Sequence, residues 1–227
     1  MERNERFEAA LTAEAVRVHD RYVLEFVEAF KICPWAERSR LEGRTRQVVL
    51  TSREPELGPS LDADAALGAD PHLEGGFLLF PRLELGRVAF ERFVSELRRA
   101  DSARSGLEGP PMAMAAFHYD AEADLGAPQR LVPFLRRSPD PTVQLIRRKV
   151  LEDLRGPGDH GTAFIDPASV DLKEFLSRKK KPPLHERVAA INLETVEAVG
   201  VESLDALLRE IRADRDAAYA RLEERYL

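Results

Sequence analysis

The chain has 227 residues, 44% hydrophobic and 33% charged, which suits one domain, alone or with an appendage, whose core needs no staple. A formal charge of −6 and an isoelectric point near 5.5 exclude the basic face on which general nucleic-acid binding depends. The single cysteine, Cys33, excludes an intrachain disulfide, dithiol redox chemistry and a four-cysteine zinc site.

No apolar run approaches the roughly 20 residues of a membrane helix. Met1 to Glu14 is charged and lacks the apolar stretch of a secretory signal, so the expected setting is the cytoplasm of a bacterial-type cell. Val16, His19, Val23, Phe26, Val27 and Phe30 recur at spacings of three and four, which predicts an amphipathic helix from about Thr12. Pro34 interrupts it and opens a second helix that ends near Gly43. Gln47–Thr51 reads as a strand, and the Pro- and Gly-rich stretch after it as a loop with a short helix starting after Ser60. Gly76–Pro81 reads as a second strand and Gly86–Ala100 as a helix. Pro111–Tyr119 is apolar almost throughout, as a strand covered on both faces should be.

Asp120–Asp140 reads as a long irregular loop, a length more often functional or disordered than a plain connection. Pro141–Arg155 reads as a helix with Val143, Ile146, Val150 and Leu154 on one side. Residues 156–183, ending in RKKKPP, read as a linker, and two helices follow over Leu184–Val199 and Ser203–Tyr226. The order predicts an α/β (or α+β) fold. A small mixed sheet of about three to four strands would be flanked by helices in a core domain over 1–155. The linker 156–183 would lead to a C-terminal helical extension over 184–227.

Three places carry candidate chemistry. Cys33 stands directly before Pro34, a good first helical residue, so its sulfur would face free backbone N–H groups and the positive helix end. Both favour the thiolate; the alternative is a small buried hydrophobe beside Ile32 and Trp35. His118 ends the third strand, where catalytic groups of α/β sheets gather, or else closes that strand with a hydrogen bond. Arg136, Arg137 and Ser138 precede Asp140 and Pro141, which read as N-cap and first residue of the helix. An arginine pair before a helix start would hold a carboxylate or phosphate, with Arg147 two turns on. His19 reads as a satisfied core residue, and no two histidines share a metal-binding spacing. Gly75-Gly76 is not a phosphate-binding loop, and no nucleophile elbow or dinucleotide fingerprint occurs.

Together KICPWAERSR, AAFHYD and RRSPDPTVQLIRR resemble segments of the bacterial family catalogued as domain of unknown function 1415. The likeness runs from about Val16 to Arg155. It matches Cys33, Pro34 and Ala36, then Phe117 and His118, then Arg137, Ser138, Pro139, Pro141 and Arg147. Trp35 stands where the family pattern has phenylalanine, Tyr119 where it has proline and Gln144 where it has histidine. The resemblance implies no activity.

The residues therefore suggest an enzyme acting on a small anionic substrate, with Cys33 and His118 as catalytic pair and the arginines, Ser138 and Trp35 as binding residues. The alternative is a small-molecule or cofactor-binding protein, haem or a metal ion included, in which Cys33 is structural. A homodimer through the C-terminal helices is the partner the tail would suit.

Overall fold

The computed structural model describes residues 2–155 and 184–226. The linker expected over 156–183 lies outside the described residues. Four strands form one mixed sheet: β1 (Thr45–Val49), β2 (Gly75–Leu79), β3 (Met112–Phe117) and β4 (Thr142–Arg147). Their order is β1-β2-β4-β3; β1 and β2 run parallel, and β4 is antiparallel to both of its neighbours. The architecture is the expected α/β one, with a small mixed sheet between helices.

The three strands read from the sequence lie in this sheet, but β2 and β3 are not neighbours. Residues 142–147 separate them. They form a central strand where a helix was expected, and only Arg148–Arg155 is helical (α6). The reason is pairing on both sides: Val143 is opposite Leu78 of β2 and Ala116 of β3, so the sheet satisfies the backbone that a helix would satisfy itself. The expected long loop holds a further helix, α5 (Pro128–Leu135), which begins with proline as helices often do. Likewise α3 (Leu57–Ala69) starts ahead of Ser60, whose hydroxyl turns back to the Glu56 carbonyl at 2.7 Å instead of capping.

One face of the sheet is covered by α3 and α4 (Arg87–Arg104). Leu67, Phe90, Val94 and Leu97 meet Leu78, Val143, Leu145 and Met112 in a closed cluster. Gly75 and Gly76 serve this packing: a Cβ on Gly76 would lie 2.8 Å from a Leu67 methyl, and one on Gly75 2.9 Å from the Leu145 carbonyl. The other face is covered by α1 (Glu2–Arg21) together with α7 (Leu184–Val199) and α8 (Val201–Tyr226). Leu204, Leu208 and Ile211 are buried with Val18, Phe26, Leu131 and Phe134. Phe7, Leu11 and Ala15 meet Ala218 and Tyr219. The C-terminal helices are thus a layer of the core. No helix among the described residues is long and apolar enough to cross a membrane.

After α1 the chain continues as a π-helix over Tyr22–Glu28, with bonds such as Ala29 N–H to Leu24 O at 3.2 Å and Ile32 N–H to Val27 O at 2.9 Å. Such segments are rare and mostly shorter. Lys31 then takes a left-handed conformation (φ 54°), and the turn that follows delivers Cys33 to α2 (Ala36–Leu41).

Candidate functional site

Cys33 is half-buried in the turn between the π-helix and α2. Burial raises its thiol pKa, and Glu28 adds to this; hydrogen bonds from the Trp35 and Ala36 N–H groups to the sulfur act the other way and do not win. This corrects the expectation of a thiolate. A helix of six residues offers little dipole, and desolvation of the charged form outweighs two N–H donors. Trp35 contributes through its backbone. From the far side Asn192 of α7 donates to the Ile32 carbonyl at 3.1 Å and holds this turn against the core.

His118 does not meet Cys33. Phe117 points to the face of α1 and packs with the cluster of Tyr22, Phe26 and Phe134, whereas His118, one residue on, packs on Phe90 of α4 at 6.0 Å between ring centroids. Both ring nitrogens are engaged: Nδ1 accepts from the Asp120 N–H at 3.1 Å, so Nε2 carries the proton and donates to the Leu85 carbonyl at 2.9 Å. Burial lowers its pKa. The strand-closing alternative fits these contacts, and the expected catalytic pair is not assembled.

The arginine segment divides in the same way. Arg137 forms an ion pair with Asp205 of α8, donates to the Tyr119 carbonyl at 3.1 Å and lies over the Phe134 ring. Ser138 is fully buried and its hydroxyl donates to the Asp140 carbonyl, as Thr142 also does. Asp140 caps nothing, because no helix follows it. Its carboxylate takes Arg215 Nε at 2.8 Å and the Tyr219 hydroxyl at 2.6 Å, and Arg212 reaches the Pro139 carbonyl. Residues 137–142 are therefore docked onto α8. The expected helix N-terminus at Pro141 is absent, and with it that half of the anion site. Arg147 sits at the other end of β4, roughly 17 Å along the strand from Thr142. It donates to the Leu73, Asp70 and Gly68 carbonyls at 2.7, 2.6 and 3.2 Å, closing the end of α3.

Arg136 is different. Its guanidinium lies over the Phe117 ring, 5.5 Å from the centroid, and no carboxylate pairs with it among the described residues. Burial pushes its pKa down, and Arg98, reaching over from α4, adds to that; Tyr22 acts in the opposite sense. Arg98 itself donates twice to the Met114 carbonyl on the open edge of β3, at 3.1 and 2.9 Å. Tyr22 lies within electrostatic reach of both Arg136 and the Cys33 sulfur. Burial raises its pKa, so it is a neutral donor whose hydroxyl is given to the Leu135 carbonyl at 2.9 Å.

Gln144 shares this face: the register aligns Gln47, Phe77, Gln144 and Ala115 across the sheet, and Gln144 is diagonal to Phe117. Its amide has no hydrogen-bond partner among the described residues. Of the residues expected from sequence, Cys33 and Arg136 both lie within electrostatic reach of Tyr22, and Arg98 lies within reach of Arg136. Gln144 is on the same sheet face; of these added residues only Gln144 was signalled, by its place in the family-like segment. No group of three or more His, Cys, Asp or Glu that could hold a metal ion occurs among the described residues. No protein-family model, no curated protein and no solved structure matches the chain.

Proposed function

We propose that this protein binds a small carboxylate- or phosphate-bearing molecule against Arg136, in front of Cys33 and Gln144. The observation that carries the reading is a guanidinium largely withdrawn from water beside a second arginine and without a carboxylate partner among the described residues. An enclosed cation left unpaired costs stability, and a ligand anion is the natural compensation. The planar fork of arginine matches a carboxylate or phosphate edge, while the Phe117 ring holds the guanidinium from its other face. Tyr22 and the π-helix carry this corner of the fold, and segments of that kind are frequent at functional sites.

Binding is favoured over thiol catalysis because Cys33 is a neutral thiol and His118 is occupied on the opposite face. A catalytic reading keeps one support, the two N–H groups aimed at the sulfur, which would steady a thiolate formed once a base arrived with the ligand. Calorimetric titration with inorganic phosphate and with benzoate tests the proposal. Saturable binding of at least one, weakened about tenfold or more by Arg136→Met, is expected. Binding that Arg136→Met leaves intact, or no saturable binding of either anion, overturns it.

A further inference from the structure

A recess lies away from Arg136. β1 and β2, the parallel pair, are joined through α3, and ligands of α/β proteins gather beyond the carboxyl ends of such strands. A recess of about 460 Å³ opens there, between α1, the loop after β1 and the turn after β2, which is the size of an ordinary small-molecule pocket. Val49 and Phe80 give it an apolar floor, and Arg53, Arg82, Glu8, Glu54 and Glu56 line it.

Several arginines elsewhere in this chain pair readily: Arg17 and Arg21 with Asp214, Arg40 with Glu28, Arg44 with Glu74. Around the recess the arginines do not. Among the described residues none of these five side chains is in an ion pair. Arg82 lies over the Phe7 ring at 5.3 Å, and Glu8 accepts only from Asn4. Charges of both signs that share a cavity and stay apart leave room for the two charges of a ligand. A plain anion would meet three carboxylates there, and a plain cation two arginines.

We propose that this recess is a second binding site, taking a small zwitterion: a free α-amino acid or a short peptide, its carboxylate on Arg82 and Arg53 and its ammonium on Glu8 and Glu54. The test is calorimetric titration of the full chain with leucine, glutamate, lysine and glycylleucine. The single-charge controls are 4-methylpentanoate and 3-methylbutylamine, titrated in Arg136→Met so that the Arg136 site takes up no carboxylate. At least one zwitterion should bind with Kd of about 1 mM or tighter, the controls about tenfold weaker or worse. Arg82→Met should weaken that binding about tenfold or more, while Arg136→Met leaves it unchanged. Amide chemical shifts in the unaltered chain give a readout that needs no variant, and the bound zwitterion should move those of Thr51 to Glu54. No binding by any of the four, a single-charge control that matches its parent, shifts centred elsewhere, or loss in Arg136→Met alone overturns the site.

Discussion

The Tyr22 hydroxyl donates to the Leu135 carbonyl at 2.9 Å, tying the first turn of the π-helix to the peptide that precedes Arg136. That bond joins residues 113 positions apart. It explains why Arg136 points over Phe117 while its neighbour Arg137 turns away to Asp205. Arg136 begins the chain's exit from α5, where its N–H still bonds to Val132 O and Pro133 O, and its own carbonyl accepts from the His118 N–H. The backbone is held from three sides, and among the described residues the side chain has no charge partner.

Two adjacent arginines should therefore respond oppositely to removal. Arg137→Ala breaks an ion pair and a bond to the Tyr119 carbonyl, and should cost about 1.5–3 kcal/mol by urea unfolding. Arg136→Met removes an uncompensated cation, and should leave stability unchanged or raise it by about 1 kcal/mol. Equal losses for the two would mean that Arg136 is structural.

Asp140 is the deepest polar anchor of the C-terminal helix, 1% exposed and bonded to both Arg215 and Tyr219. Asp140→Ala leaves Arg215 with only the more exposed Asp216 as carboxylate partner and the Tyr219 hydroxyl without its acceptor, and should cost about 2–3 kcal/mol. Proteolysis should then cut within α8 faster than in the unaltered chain. Cleavage at an unchanged rate would show that apolar contacts alone hold the helix.

The pH dependence of stability should expose two buried groups of opposite sign. Asp64, raised to about 7 by burial and then by Asp101 despite Arg104, keeps its proton in the folded chain after the unfolded chain has lost it near pH 4. Its contribution is full below about pH 4 and is lost as pH rises toward 7. His19, lowered to about 3 by burial, stays neutral in the fold while the unfolded chain takes a proton below about 6.5. That contribution is full above about 6.5 and is lost as pH falls toward 3. Measured relative to the unaltered chain, Asp64→Asn should gain about 2 kcal/mol between pH 4.5 and 6.5, and His19→Gln should lose a similar amount. Flat differences for both variants would place the two groups in contact with water.

Cys33 should be slow to alkylate at neutral pH. With burial and Glu28 raising its pKa, the rate with iodoacetamide should climb only well above pH 8.5, beyond the midpoint of a free thiol. Denaturant should restore the ordinary profile. A midpoint below 7 in the folded chain would reverse the balance between burial and the Trp35 and Ala36 N–H groups.

Local pattern alone determined much of this protein. The helical stripe through Val23 and Phe26, the helix from Gly86, the apolar run ending at Phe117 and the core position of His19 follow from spacing that burial on one side imposes on any chain. Cys33 and Arg136 were visible as residues worth asking about because each sits at an element boundary. Residues 142–147 were not readable as a strand. Val143 and Ile146 stand three apart in strand and helix alike, and a central strand covered on both faces has no alternation to betray it. Only β2 and β3, some 63 and 27 residues earlier at the paired positions Leu79 and Ala116 of Thr142 and of its neighbour Val143, supply the hydrogen bonds that settle its conformation. The site followed the same rule. Strand parity sends Phe117 to one face and His118 to the other, and partners far along the chain, the Asp205 carboxylate and the Leu85 carbonyl, occupy Arg137 and His118. Which polar group remains unpaired is a property of the whole set of long-range contacts. Arg136 could therefore be named from the sequence but singled out only in the fold.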